Sequence, residues 1–276
     1  MSCQPTAFRK CRLFLVLTLF VVLPPGPLAA DEYEVSDLNE QLVMATAWYQ
    51  TSAEMRAICW QAFNLARLLY DRDLEKTTIF QKRAVILDIG ETILDNSPYE
   101  AGLIGEDHDY SVGWTGWLRS RKAKALPGAV DFCTYVARKG GAVFYITNLK
   151  ERYQEDILAI LKKEGFPLAD ERHVLMRSNN RDKQPRRNRV AKDHRVVLLM
   201  GDNLNDFQSI YTHRTISERA ALVDKHRDLF GTRFILLPNP MYGDWEGAAY
   251  QHNWRRGPVE KDRLRKAPLK VWRPGS

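Results

Sequence analysis

Three short apolar runs punctuate the chain, AVIL at residues 84–87, AVFYI at 142–146 and VVLLM at 196–200. Each is rich in branched or bulky side chains and ends on polar groups: Asp88, then Thr147 with Asn148, then Asp202. Short apolar runs of this kind read as strands buried on both faces of a parallel sheet. A fourth, FILL at 234–237, stops at Pro238. Helical periodicity fills the spaces. Leu38, Leu42, Ala45, Ile58, Ala62, Leu65 and Leu69 recur at roughly helical spacing in a stretch without Pro or Gly, which predicts helix over 35–75. Residues 151–164 predict another helix, closed by Gly165 and Pro167. Strands alternating with helices predict an α/β fold, a doubly wound parallel sheet.

Two segments stand outside this alternation. Residues 93–126, between the first strand and its helix, carry Tyr99, Tyr110, Trp114 and Trp117; insertions beside strand ends commonly form lids or binding loops. From Tyr250 onward the chain is polar and basic, with Pro258, Pro268 and Pro274, and an irregular tail is expected.

The N-terminus changes the picture of where the protein works. Arg9, Lys10 and Arg12 precede an apolar run over 13–23, followed by Pro24, Pro25, Gly26 and Pro27 and then by Leu28, Ala29 and Ala30. This is the order of a secretory signal peptide over residues 1–30, cleaved after Ala30. The run is short for a membrane span, so no stable anchor is expected and the protein is read as exported, periplasmic or secreted. Loss of residues 1–30 removes three basic and no acidic residues, so the formal charge falls from +7 to +4. That suits anionic substrates without indicating nucleic acid. Cys59 and Cys133 remain, read as two buried thiols, although pairing stays open in an oxidising compartment. The six histidines show no metal-ligand spacing, and oligomeric state is left open, a homo-oligomer included.

In a parallel sheet the polar strand ends share one rim, where open α/β sheets bind ligands. They bring Asp88, Thr147, Asn148 and Asp202 together, with Asp206 in GDNLND and Lys183 in NNRDKQPRR. Asp88 can attack phosphorus. Asp88, a backbone carbonyl two residues on and Asp202 suit Mg2+, which prefers oxygen ligands. Thr147 and Lys183 can donate to the transferring oxygens.

With these residues in view, the chain resembles the class C nonspecific acid phosphatases, the lipoprotein e(P4)-like 5'-nucleotidases of the haloacid dehalogenase (HAD) superfamily. The resemblance rests on WYQTSAEMRAICWQAFN from Trp48, ETILDNSPY from Glu91, LPGAVDF from Leu126, GDNLNDF from Gly201 and LPNPMYGDWEG from Leu237. It implies a single HAD-like domain over 31–276, with N-terminal helices at 35–75, a core over about 82–240 and a cap-like insertion after the first core strand. It further implies Asp88 as nucleophile, Thr147, Asn148 and Lys183 as phosphate-binding residues, Asp202 as metal ligand and Asp206 as its support. Substrates would be small phosphomonoesters such as nucleoside monophosphates. Tyr242 and the aromatic insertion are candidates for stacking on a flat leaving group, with core packing as the other reading; for Trp245 core packing is expected. Of Arg177, Arg181, Arg186, Arg187 and Arg189, one or two are expected to face phosphate and the rest water.

One departure bears on chemistry. The family's Asp-x-Asp is here Asp88-Ile89-Gly90. Glycine still offers a backbone carbonyl to the metal but no carboxyl to protonate the leaving group or activate water, a function worth about 10²–10⁴-fold. Glu91 is not expected to substitute, because adjacent strand residues point to opposite faces. The sequence therefore predicts a working or weakened phosphatase with a water or another carboxylate standing in. The alternative is a catalytically silent relative that binds a phosphorylated ligand or acts as an exported binding protein, and an altered copy of an Asp codon is a third reading.

Overall fold

Residues 83–87 form β1 (Arg83–Leu87), and their alternation shows how the sheet is used. Val85 and Leu87 belong to one hydrophobic core, whereas Ala84 and Ile86 belong to another. Successive strand side chains point to opposite faces, so both faces of the sheet are covered. The computed structural model describes residues 1, 33–76, 78 and 80–274. The chain divides into Met1–Glu32 and Tyr33–Ser276, and apart from Met1 all described structure belongs to the second unit. The expected signal peptide, apart from Met1, and its expected cleavage point lie outside the described residues. Among those residues no helix is long and apolar enough to cross a membrane.

The expected N-terminal helical stretch is three helices, α1 (Val35–Glu40), α2 (Leu42–Thr51) and α3 (Ala53–Leu74). Ser52 starts α3, its hydroxyl accepting the Met55 amide at 3.0 Å, as an N-cap residue should. Met55, Cys59, Ala62, Phe63, Ala66 and Tyr70 form its buried stripe, spaced to keep one face inward. At its end buried Asp73 accepts Arg83 Nε at 2.8 Å and Arg195 Nη2 at 2.6 Å. The helix is thereby pinned to the beginnings of two adjacent strands.

After β1 come β2 (Leu94–Asp95), α4 (Ser97–Ala101), α5 (Trp114–Ser120) and β3 (Lys124–Ala125), with β2 and β3 paired antiparallel. This is the inserted segment. The core resumes with α6 (Ala129–Arg138), β4 (Ala142–Lys150), α7 (Gln154–Glu164), β5 (Val174–Arg177), α8 (Gln184–Asp193) and β6 (Arg195–Gly201). Gly165, at φ +89°, ends α7 in the left-handed region that glycine adopts readily. The chain then forms α9 (Ile216–Lys225), β7 (Phe234–Leu236), α10 (Asp244–Ala249) and α11 (Pro258–Lys266).

The sheet order is β5-β4-β1-β6-β7, with every pairing parallel. β1 is central, β4 and β5 lie to one side, and β6 and β7 to the other. This is the doubly wound arrangement, whose switch point lies at the C-terminal end of β1. α3, α6 and α7 contribute to one core and α8 to the other. β5 was not legible as a strand. The tail also differs from expectation: α11 is anchored where Arg265 donates to Glu246 at 2.6 Å, to the Tyr250 hydroxyl at 2.5 Å and to the Leu38 carbonyl at 3.2 Å. Cys59 and Cys133 are buried free thiols; burial pushes them up to about 11 and about 12.

Candidate active site

Asp88 is the first residue beyond β1, and its amide donates to the Met200 carbonyl of β6 at 3.0 Å. Its carboxylate therefore emerges at the switch point between β4 and β6. Lys183, the residue before α8, is buried, and its ammonium reaches both Asp88 and Asp206, the latter at 2.6 Å. The basic run NNRDKQPRR thus delivers its lysine into the sheet rim. Asp206 also accepts the Asn203 amide at 2.9 Å. Asp202, just past β6, accepts Asn239 Nδ2 at 2.9 Å and the Thr92 hydroxyl at 3.2 Å. Carboxylate oxygens of Asp88, Asp202 and Asp206 lie within 4.8 Å of one another.

Gathering these charges perturbs Asp88, Asp202 and Lys183. Burial raises the pKa of Asp88, Lys183 lowers it in part, and Asp206 adds to the rise. Asp202 is held well above the usual carboxylate range by burial and then by Asp206 and Asp88. Burial works against the Lys183 ammonium, but Asp206 and Asp88 outweigh it and leave its pKa raised. Three crowded carboxylates are costly to ionise together. As hard oxygen donors they fit a divalent cation, which would relieve that cost.

Thr147 and Asn148 stand on the neighbouring strand end, in β4. Thr147 is buried, and its hydroxyl accepts the Leu149 amide at 3.2 Å. Asn148 is exposed, with its side-chain oxygen on Arg186 Nη2 at 2.7 Å, while the other terminal nitrogen of Arg186 holds the Thr147 carbonyl. No hydrogen bond among the described residues joins Thr147 or Asn148 to the three carboxylates; Arg186 fixes them beside the cluster.

Gly90 is where the structure departs most from the sequence reading. Glu91 is not a strand residue. It sits in a left-handed turn at φ +52° and is fully buried, so strand alternation does not apply to it. Its carboxylate accepts the Asn96 amide at 2.7 Å, Asn96 Nδ2 at 3.3 Å and the Tyr242 hydroxyl. Burial, followed by the Asp202 charge, raises its pKa well above the usual range. A β-carbon on Gly90 would lie 3.1 Å from Asn96 Nδ2 and 3.7 Å from the Tyr242 oxygen. The two groups clasping Glu91 are thus the groups that the absent side chain would face.

Asn96 is a hub that sequence reasoning missed, although it lies within ETILDNSPY. Besides Glu91 it binds Trp117, whose Nε1 donates to its side-chain oxygen at 2.9 Å. The inserted segment is thereby tied to the loop that follows Asp88. Tyr242 is half-buried, and its ring centre lies 6.4 Å from that of Tyr110. Tyr110 in turn packs on Trp114 and Tyr99 at 5.2 and 5.7 Å. Trp245 is not core: it is 46% exposed, with Nε1 on the Asn239 and Tyr242 carbonyls. The arginines separate too. Arg187 turns inward onto the Asn205 and Asp206 carbonyls, Arg186 holds Thr147 and Asn148, and Arg181 and Arg189 are exposed.

Residues 29–245 match the family described as HAD superfamily, subfamily IIIB (Acid phosphatase). The class C acid phosphatase from Bacillus anthracis superposes with a TM-score of 0.83 at 38% identity, over 86% of this chain and 99% of that one. The structure of the same enzyme with tungstate bound gives a TM-score of 0.82 at 37% identity, over the same shares. The chain belongs to the HAD subfamily IIIB acid phosphatases. Its class of activity is phosphomonoester hydrolysis, and enzymes of this superfamily generally use a divalent metal.

Proposed function

We propose that the protein is an exported Mg2+-dependent acid phosphatase acting on small phosphomonoesters, nucleoside monophosphates among them, through an aspartyl-phosphate on Asp88, and that Gly90 weakens it. The observation that carries this reading is Lys183 gripped by Asp88 and Asp206 within the carboxylate cluster. Asp88, Asp202 and the Gly90 carbonyl would hold the cation, with Asp206 in support. When bound, it would supply charge compensation for the phosphoryl oxygens.

In the first step Asp88 attacks phosphorus; its O–P bond forms as the bond to the leaving oxygen breaks. Lys183 and Thr147 donate to the oxygens on which charge accumulates. The leaving oxygen then needs a proton, and water must later displace phosphate from Asp88. Gly90 has no carboxyl for either transfer. An aryloxide leaves without that proton far more readily than an alkoxide does.

The test is a leaving-group comparison with Mg2+ present. Aryl phosphates should be cleaved much faster than alkyl or nucleotide phosphates. Equal rates on both ester types would refute the missing-acid account. No turnover of aryl esters would favour a silent phosphate-binding relative, the reading that the glycine itself supports.

A further inference from the structure

The sheet rim beside Thr147 carries arginines that, among the described residues, make no ion pair with a carboxylate. Arg177 ends β5 and pairs in register with Lys150 of β4. Arg181 lies in the loop leading to Lys183, and Arg186 lies in the first turn of α8. Parallel strand direction puts this group at the edge where Asp88 emerges. Arg186 donates to the Thr147 carbonyl, to Asn148 Oδ1 at 2.7 Å and to the Asp182 carbonyl at 3.3 Å, all neutral acceptors. Arg177 Nε is buried and has no hydrogen-bond partner.

Arg177 lies close enough to feel the Arg181 charge, and Arg186 feels that of Arg177. Burial lowers the pKa of Arg177, and Arg181 lowers it further. Burial likewise lowers Arg186; Asp88, Asp182 and Asp206 favour its charge from a distance, and Arg177 opposes it. The neighbouring acid, Asp182, is committed elsewhere: it accepts the Ser209 hydroxyl at 3.0 Å and the Gln184 amide at 2.8 Å. Among the described residues no ion pair involves Arg177, Arg181 or Arg186. By contrast, Arg195, Arg219 and Arg265 each have a carboxylate partner.

Like charges gathered beside an unpartnered buried N–H, with no carboxylate bonded to them, suit an incoming anion. We infer that Arg177, Arg181 and Arg186 form a second anion subsite, which takes a second phosphate carried on the leaving group. The favoured substrates are then small bisphosphorylated molecules, cleaved at the phosphate over Asp88 and held by the other. Guanidinium suits this task because its planar donors match phosphate oxygens in pairs. The inference rests on Asp88 being the reacting centre, as proposed above.

The test compares adenosine 3',5'-bisphosphate with adenosine 5'-monophosphate on the full chain with Mg2+, reading both kcat/KM and calorimetric Kd. The wild type should favour the bisphosphate by about tenfold or more, the equivalent of one good charge-assisted contact. In Arg177→Gln/Arg181→Gln that ratio should fall to about one, and the exposed Arg181→Gln alone should give part of the loss. A wild-type ratio at or below one, or a ratio unmoved by the double substitution, overturns the subsite. Turnover of p-nitrophenyl phosphate tests the Asp88 centre separately. If that ester is not cleaved, the phosphatase reading fails while the Kd ratio still decides the subsite.

Discussion

Asn96 Nδ2 lies 3.1 Å from the point that a β-carbon on Gly90 would occupy. Gly90 is not among the residues with positive φ, so its backbone already suits an L-residue. The contacting atom is the end of a side chain and can give way by the few tenths of an ångström required. Gly90→Asp should therefore fold, with its carboxyl beside Asn96 and Tyr242. Nucleotide hydrolysis should rise by about 10²–10⁴-fold, the usual contribution of a general acid or base, and aryl ester hydrolysis should rise less. Steady-state kinetics on both ester types check this. No change on either would mean that the site is incomplete elsewhere.

Lys183 supplies the positive charge in direct contact with Asp88 and Asp206. Lys183→Met should lower kcat/KM by at least about 100-fold, as expected for removing a donor to transferring oxygens. It should also leave buried carboxylates unpaired, so the metal-free protein should melt several degrees lower. Added Mg2+ should recover much of that loss, since a ligand that binds the folded state stabilises it. Melting curves with and without Mg2+ read this directly. An unchanged melting temperature in the metal-free variant would argue against the buried ion network.

Gly201 has no room for a side chain. A β-carbon there would lie 2.4 Å from both Cβ and Oδ2 of Asp206. Gly201→Ala must displace Asp206, weakening its 2.6 Å contact with Lys183 and its 2.9 Å bond from Asn203. Calorimetry should show Mg2+ affinity reduced by about tenfold or more, in keeping with losses of groups that orient metal ligands. Affinity equal to wild type would remove Asp206 from the metal site.

Asp73 makes a pH-dependent contribution at the opposite end of the strands. Burial works to raise its pKa, but Arg195 and Arg83 outweigh burial and bring it to about 2. The folded-state value is thus below the unfolded one, near 3.9. Stability from this group is present above about pH 4 and is lost as pH falls towards 2. Asp73→Asn should cost about 2 kcal/mol at neutral pH. The gap between wild-type and variant melting temperatures should narrow below pH 4. A gap constant with pH would show that packing, not charge, carries the effect.

Much of this architecture is written in local pattern. The runs AVIL, AVFYI and VVLLM are strands because their branched side chains suit positions buried on both sheet faces, and their polar ends mark the ligand rim. β5 escaped notice because VLMR is only four residues long and ends in a charge. α11 was hidden by a polar composition; it is held by Arg265 reaching across to Glu246 and Leu38, contacts distant in sequence. Lys183 lay in a run that reads as surface, and only the convergence of three strand ends buries it. Glu91 was misplaced for a backbone reason. Its left-handed turn begins one residue after Gly90, and nothing in the letters Gly-Glu-Thr announces it.

The Asp88, Asp202, Asp206 and Lys183 cluster can finally be regarded as an unfinished charge balance. Three ionised carboxylates against one ammonium would leave two negative charges in a largely buried space. A divalent ion closes that deficit in one event; a monovalent ion leaves half of it open. Protons can also close it, so acid and metal would be rival occupants, and loading the site with metal would expel protons into the medium. The acidity of the surroundings would then set how much metal is needed to fill the site, whichever ester is offered.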